Sequence, residues 1–511
     1  MTNNSPNSKN YIKIYFWQGI SLCLRFLTLL IVIPFLSSEP KIYGVYAVCF
    51  SILIFLNYAD LGFLKSSTKY AAESYTKGKR YEEIKFIGFG FFILLVFAIL
   101  ISLTFLFYSR YPDRLVDGID TENLNYIASS LLLILSIFTP LIIIQRIAQI
   151  IFDIRMHGYI AKIVSIISSV CIIVSTFYFF SGDRYLIVEY FLFSQSVNFI
   201  STIVVLLIAK RKYDYDLIAL FKSVRFDKEV YNKTKGLAFS SLFATISWVL
   251  FYELDQIVIG RFINIDKVAI FAISMMFAVL FRSVYGIIFT PFNVRANYYI
   301  GNNDELGLKI FIKKILLITA PLTILPTVAI SIVSKPLILT WVGNSYQESI
   351  LMSKIFALLF TMSFITYSAN MYLVAKEKLK EIYFISILMP IIYWLGVYFS
   401  FSFFKMNAFA IFKLISISVS VIYYVLILKK ELDFSWSFLF NGVFGRLLLP
   451  LFVLISVLEI NLYFLPTEKS TSNFLIVVSI TGISVGISFI VQYFNSKDTR
   501  ELIRVIIKDL K

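Results

Sequence analysis

The chain has 511 residues, of which 59% are hydrophobic and only 15% charged, and its mean hydropathy is +0.82. Soluble proteins carry about 25% charged residues and fill their cores long before this much apolar surface is used. A water-soluble globular protein is thereby excluded. The formal charge of +16 does not require nucleic acid, because basic loops facing anionic lipid headgroups account for it.

Residues 1–10 are polar, and the apolar stretch Tyr11 to Leu36 is too long for a signal-peptide core and lacks a small-x-small cleavage site. It reads as the first of fourteen stretches long enough to cross about 30 Å of hydrocarbon, which takes roughly 20 residues. In chain order they are 12–36, 43–63, 84–108, 124–148, 158–180, 185–208, 237–261, 267–291, 309–333, 350–374, 380–402, 405–428, 443–464 and 473–495. Cys23, Cys49 and Cys171 fall inside these spans without metal-ligand spacing, and the lone His157 lies in a short loop. No metal site or cofactor is expected.

With the N-terminus placed inside, the inner segments hold 33 lysines and arginines and the outer loops hold 8. Such a bias kept through every crossing supports the span count and predicts that both termini are cytoplasmic. The longest polar interruption, 209–236, is basic. Within it Leu217, Leu220, Phe221 and Val224 recur at helical spacing beside Lys222 and Arg225, which predicts a short amphipathic helix on the membrane surface. The expected organisation is all-α: a six-helix bundle over 1–210, a connector over 211–236, a second six-helix bundle over 237–430, and two added helices with a basic tail over 431–511. Bundles related as repeats are the usual construction of alternating-access transporters. Gly482 and Gly486 in the last span have close-packing spacing, which predicts that this span packs on span 13 or the main bundle.

Two stretches are more specific. Tyr43 to Leu64, YGVYAVCFSILIFLNYADLGFL, has a Gly-x-Tyr start and ends in Asp60-Leu61-Gly62. Leu254 to Ala272, LDQIVIGRFINIDKVAIFA, has an Asp, an Ile/Val-Ile-Gly triplet, a short turn and an aromatic-Ala start to the next span. In these features the chain resembles the O-antigen and polysaccharide flippases (the Wzx type) of the multidrug/oligosaccharidyl-lipid/polysaccharide exporter superfamily. It departs from them in having Ala269 where the family's eighth span often has glycine, and in its two spans beyond twelve, a feature shared with the superfamily's lipid II flippases. The resemblance implies transport of a polyprenyl-pyrophosphate-linked sugar, with a polysaccharide polymerase and chain-length proteins as partners and coupling to a sodium or proton gradient.

An ionisable side chain at mid-membrane costs at least roughly 2.5–3.5 kcal/mol and is a functional candidate by default. Span 1 carries Arg25 in a one-face stripe with Gln18, Ser21 and Thr28; span 7 carries Ser241, Thr245, Trp248, Tyr252 and Asp255; span 8 carries Arg282 with Ser274 and Tyr285; span 6 carries Gln195, Asn198 and Thr202. Two faces bear arginine, whose planar fork suits phosphate oxygens, while Tyr and Trp can stack on sugar rings. These residues are the expected substrate site, with Asp60, Asp255 and Glu253 as gating or ion-coupling groups. Arg146, at the end of span 4, reads first as an interfacial anchor. A fixed ion pair competes with function for Arg25, and snorkelling competes for Arg282.

No phosphate-loop signature is present, and there is no soluble domain to house catalysis. A membrane glycosyltransferase or polymerase is the enzymatic alternative. A cation-coupled multidrug antiporter and a lipid II flippase are the closer ones.

Overall fold

In the computed structural model, residues 6–55, 62–181, 185–496 and 500 are described. The described chain is helical throughout, and it divides into two compact units, 1–269 and 270–511. Eleven described helices are long and apolar enough to cross a membrane, and a bent pair adds a twelfth. Where they are described, the fourteen predicted stretches fall on largely helical chain, with spans 7 and 10 broken and 56–61 of span 2 outside the described residues. The chain is a multi-pass, all-α membrane protein.

In the first unit, α1 (Pro6–Leu36), α2 (Pro40–Phe55) and α3 (Phe63–Thr76) precede α4 (Arg80–Arg110), α5 (Glu122–Ile154), α6 (Gly158–Phe179) and α7 (Ile187–Tyr213). The polar helix α3 was not anticipated. Span 7 is α9 (Lys228–Tyr252) followed by α10 (Asp255–Phe262), with a break at Glu253–Leu254. Helix starts are set by side-chain caps. Thr121 Oγ1 accepts from the Leu124 N–H at 3.3 Å, and Asp227 Oδ1 accepts from the Glu229 and Val230 N–H groups at 3.0 Å, satisfying donors that the first turn leaves free. Inside the bundle, Ser136 Oγ donates to the Ser102 carbonyl at 2.9 Å, a polar link between α5 and α4 of the kind that replaces water in lipid.

The two sequence motifs meet in this unit. A Cβ at Gly44 would collide with the backbone oxygen of Ile265, and one at Gly260 would lie 3.2 Å from Val48 and 3.3 Å from Val268. The Gly-x-Tyr start of span 2 and the Ile-Gly of span 7 are thus the two points where α2 touches α10 and the first turn of α11 (Ile265–Gly301). Ser51 Oγ also donates to the Glu253 carbonyl at 2.9 Å, occupying an acceptor that the break exposes.

The second unit is built around α12 (Glu305–Trp341), against which α13 (Ser349–Leu358), α14 (Ser363–Ala375), α17 (Leu448–Leu462) and α18 (Thr471–Asn495) pack. Helix α12 contains Pro321, Pro326 and Pro336, which would be ruinous in water but are tolerated in a membrane helix when hydroxyls and neighbours supply the missing bonds. Thr319, Thr327 and Thr340 each donate back at 2.7 Å to the carbonyls of Ile315, Thr323 and Pro336, which are not the carbonyls the prolines free. Thr323 Oγ1 reaches the Thr361 carbonyl at 3.1 Å, and Thr361 Oγ1 reaches Thr327 Oγ1 at 3.1 Å. These bonds hold the break between α13 and α14, where span 10 bends by 45°. Spans 11 and 12 are separate helices, α15 (Leu379–Phe404) and α16 (Asn407–Leu432).

The last span packs on span 13 and on the main bundle as expected, α18 lying against α17 and α12, but it does not do so through its glycines. A Cβ at Gly482 or Gly486 would meet nothing within 4 Å. Helix α18 instead buries Phe474, Val477, Thr481, Ser484, Ser488 and Gln492, so the glycine face points away from its neighbours and gives no close helix contact.

Candidate functional site

Of the expected substrate residues, Gln18, Ser21 and Thr28 are half-buried on α1, where Thr28 Oγ1 donates to the Leu24 carbonyl at 2.8 Å. The side chains of Arg25 and Ser241, and all of Asp60, lie outside the described residues. On α9 the rings of Trp248 and Tyr252 lie 4.4 Å apart, with Thr245 half-buried one turn earlier. The expected stripe does not continue to Asp255, because the helix breaks after Tyr252. Asp255 instead opens α10, where it is buried, as is Glu253 in the break. A carboxylate at a helix N-terminus is stabilised by the free N–H groups there. Arg282 lies on α11 in the second unit, half-buried, and its backbone carbonyl is 3.5 Å from Tyr367 Oη. Tyr285 is buried and donates to the Thr323 carbonyl at 3.0 Å, and Ser274 is buried about three turns earlier on the same helix. Asn198 is half-buried on α7, and its carbonyl accepts from Thr202 Oγ1 at 3.0 Å.

Thr202 leads to a feature the sequence did not assemble. Helices α5, α6 and α7 enclose a cleft of about 380 Å³ lined by Gln145, Arg146, Gln149, Lys162, Ser165, Ser201 and Thr202, with Ile142, Ala161, Val164 and Val205 as its apolar wall. Two cations, two amides and three hydroxyls thus face one space inside a strongly apolar bundle. At 1.5 Å per residue, Lys162 sits about 6 Å from the start of α6 and Arg146 about 12 Å from the end of α5. Thr202 sits about 16 Å from the end of α7. All three of those helix ends adjoin basic loops. Measured from the basic ends, Lys162 is therefore the shallowest of these groups, Ser165 and Arg146 lie deeper at about 10 and 12 Å, and Thr202 is deeper still. Asp153 lies within electrostatic reach of Lys162 and offsets part of the cation charge.

The signal for this cleft was present but divided. Gln145 and Gln149 are one turn apart, and Arg146 and Gln149 share a face three residues apart. Their partners lie on two other helices, and only packing shows that these faces converge. A second residue was missed altogether. Lys413 on α16 is completely buried, with Nζ 4.7 Å from the ring centroid of Tyr393. Its place on a helix with Ser416 and Ser420, at three and seven residues, was the available sign.

No family model matches the sequence, and no curated protein is similar to it. The fold does have solved counterparts, among them proteins described as transporters of the MOP superfamily. A lipid II flippase, MurJ, in an inward closed conformation superposes with a TM-score of 0.67 at 15% identity, covering 97% of this chain and 99% of that one. An outward-facing multidrug resistance MATE family transporter gives 0.58 at 13% identity, covering 84% and 97%. A transporter of the same superfamily from Pyrococcus furiosus, described as having a binding pocket of reversed polarity, gives 0.57 at 11% identity, covering 84% and 97%. At these identities the likeness is one of fold. A match over 97% of 511 residues leaves out only about 15, fewer than the 25 of α18 alone. The MurJ match therefore cannot omit the pair α17 and α18.

Proposed function

We propose that the chain is a flippase that carries a polyprenyl-pyrophosphate-linked oligosaccharide, an O-antigen or capsule/exopolysaccharide repeat unit, from the cytoplasmic to the outer leaflet of a bacterial inner membrane. The observation that carries this reading is the cleft of α5, α6 and α7. Its arginine and lysine suit phosphate oxygens, and its amides and hydroxyls suit sugar hydroxyls. An apolar wall lets a lipid tail stay in hydrocarbon. A pocket for cationic drugs would call for carboxylates instead, so the antiporter reading is disfavoured. The basic end is cytoplasmic in this scheme, which sets the cleft on the leaflet where a lipid-linked sugar is made.

Arg25 and Arg282 hold the pyrophosphate during passage, with Asp60, Asp255 and Glu253 gating or coupling to an ion gradient. Spans 1–6 rock against spans 7–12. That motion must part Gly44 from Ile265 and Gly260 from Val48, the contacts closing the outer end of α2. No covalent bond is made or broken. A lipid II substrate is the second reading, favoured by the extent of the MurJ likeness.

The test is complementation of cells lacking their own O-antigen flippase, with a matched donor sugar, using wild type, Arg25→Ala, Arg282→Ala and Arg146→Gln at equal membrane abundance. Restored surface polysaccharide with wild type, lost in the arginine variants, is the expected result. A well-expressed wild type that restores none, yet rescues cells depleted of their lipid II flippase, would replace the first reading with the second.

A further inference from the structure

The connector borders a second cleft, distinct from that of α5, α6 and α7; the lipid seat argued for it does not rest on the transport reading, and only its effect on transport does. It has a volume of about 270 Å³ and is walled by Tyr81, Ile84 and Lys85 of α4, by Lys222 of α8 (Leu217–Lys222), and by Ser223, Arg225 and Asp227 beyond it. Its shape is fixed rather than loose. Leu220 is buried, and Ser223 Oγ lies 3.2 Å from the Ile84 carbonyl. Ser223 occupies the space where any side chain at Gly88 would project, its backbone oxygen lying 2.6 Å from that position. Lys85 is held by Asp227 at 3.1 Å and Glu229 at 2.9 Å. The Val230 N–H and Lys85 in turn keep the Asp227 carboxyl below the usual carboxylate range.

Two anions therefore neutralise Lys85, whereas Lys222 and Arg225, both exposed, have no ion-pair partner among the described residues. Around these two cations the apolar side chains point outward. Tyr81 is 76% exposed, Ile218 70%, Phe226 55% and Phe221 49%. Cations with no counter-ion, ringed by outward-facing aromatic and aliphatic groups at the end of a membrane-spanning helix, are complementary to one chemistry: an anionic headgroup whose acyl chains continue into hydrocarbon.

We propose that this cleft seats the phosphate of an anionic phospholipid on Lys222 and Arg225, with the lipid's chains lying over Phe221 and Phe226. Because α8 leads directly into α9, an occupied seat pins the connector to α4 and to the bilayer surface. Transport then responds to the anionic lipid content of the membrane.

The experiment uses full-length protein in nanodiscs of phosphatidylcholine with and without phosphatidylglycerol, and counts by native mass spectrometry the phosphatidylglycerol retained on release. Wild type should keep one tightly held molecule. Lys222→Gln/Arg225→Gln should retain it about thirtyfold less well, and Phe221→Ser/Phe226→Ser should weaken retention with the charges intact. Lys210→Gln/Arg211→Gln removes the same charge from the end of α7 and should leave retention unchanged, and thermal unfolding of each variant verifies folding. Equal loss in both charge pairs would mean a diffuse surface field and overturn the site. So would wild type retaining no lipid, or displacement of the lipid by inorganic phosphate, which would mark the cleft as an ion site.

Discussion

Arg146 and Arg155 stand nine residues apart along α5, which at 100° per residue puts them on opposite sides. Arg155 is buried and bonded on every side. Its Nη2 lies 2.7 Å from Glu83, its Nη1 donates to the Ile151 carbonyl at 2.9 Å, and its guanidinium packs 4.6, 5.2 and 5.1 Å from the rings of Tyr75, Tyr213 and Tyr215. Arg146 faces a cleft among amides and hydroxyls. Arg155 fastens α4, α5 and the end of α7 together, while Arg146 presents charge to a space that a ligand can fill. The two arginines thus differ in setting: Arg155 is enclosed by its partners, whereas Arg146 borders an open cleft.

The largest effect should come from breaking the fastening. The side chains of Glu83 and Arg155 are 1% and 3% exposed, so Glu83→Ala leaves a buried charge and should cost about 3–5 kcal/mol, read as a large drop in thermal unfolding temperature in detergent. Next is Gly44→Ala, whose methyl would meet the Ile265 backbone. Overpacking should cost about 1–3 kcal/mol, and unchanged stability would show that the α2 contact is soft. Arg146→Gln and Lys162→Gln should leave stability within about 1 kcal/mol of wild type while lowering substrate affinity about tenfold each, measured by binding of a lipid-linked sugar. Should either unfold the protein as Glu83→Ala does, the contrast drawn between the two arginines fails.

The smallest effect is one of pH. His157 Nδ1 lies 2.7 Å from Tyr213 Oη, and burial, with Lys212, Lys13 and Arg155 nearby, holds the imidazole below the ordinary histidine range. Protonation is thus penalised in the fold relative to the unfolded chain. Stability should be full above about pH 6.5 and decline as pH falls below it, and His157→Gln should flatten that slope.

The spans were legible because twenty apolar residues have few other fates, and loop charge kept their count in phase. The breaks were not. A hydropathy average runs straight through Glu253–Leu254 and through 359–362, where hydroxyls of Ser51, Thr323 and Thr327 on neighbouring helices meet the breaks. The motif glycines Gly44 and Gly260 were legible as pattern, and packing gives the reason, since each leaves room for a backbone or a valine. The cleft was least legible, because its polar atoms are shared among three helices and no one helix carries enough of them to stand out. Lys413 was hidden by the apolar average of its own span.

Helices α11 and α12 hold 37 residues each, about 55 Å at 1.5 Å per residue, against a hydrocarbon layer of about 30 Å. Their joined ends are braced by Phe311, whose ring lies 6.4 Å from Phe292 and 5.3 Å from Tyr299, with Arg295 stacked on it at 5.6 Å. The tip turns at Asn303, whose φ is 55°. A helix pair of this length is a natural mounting point. A small rigid domain spliced in at Asn302–Asn303 would stand clear of the bilayer, giving particle images a fiducial that rotates with the second unit and reports its tilt directly.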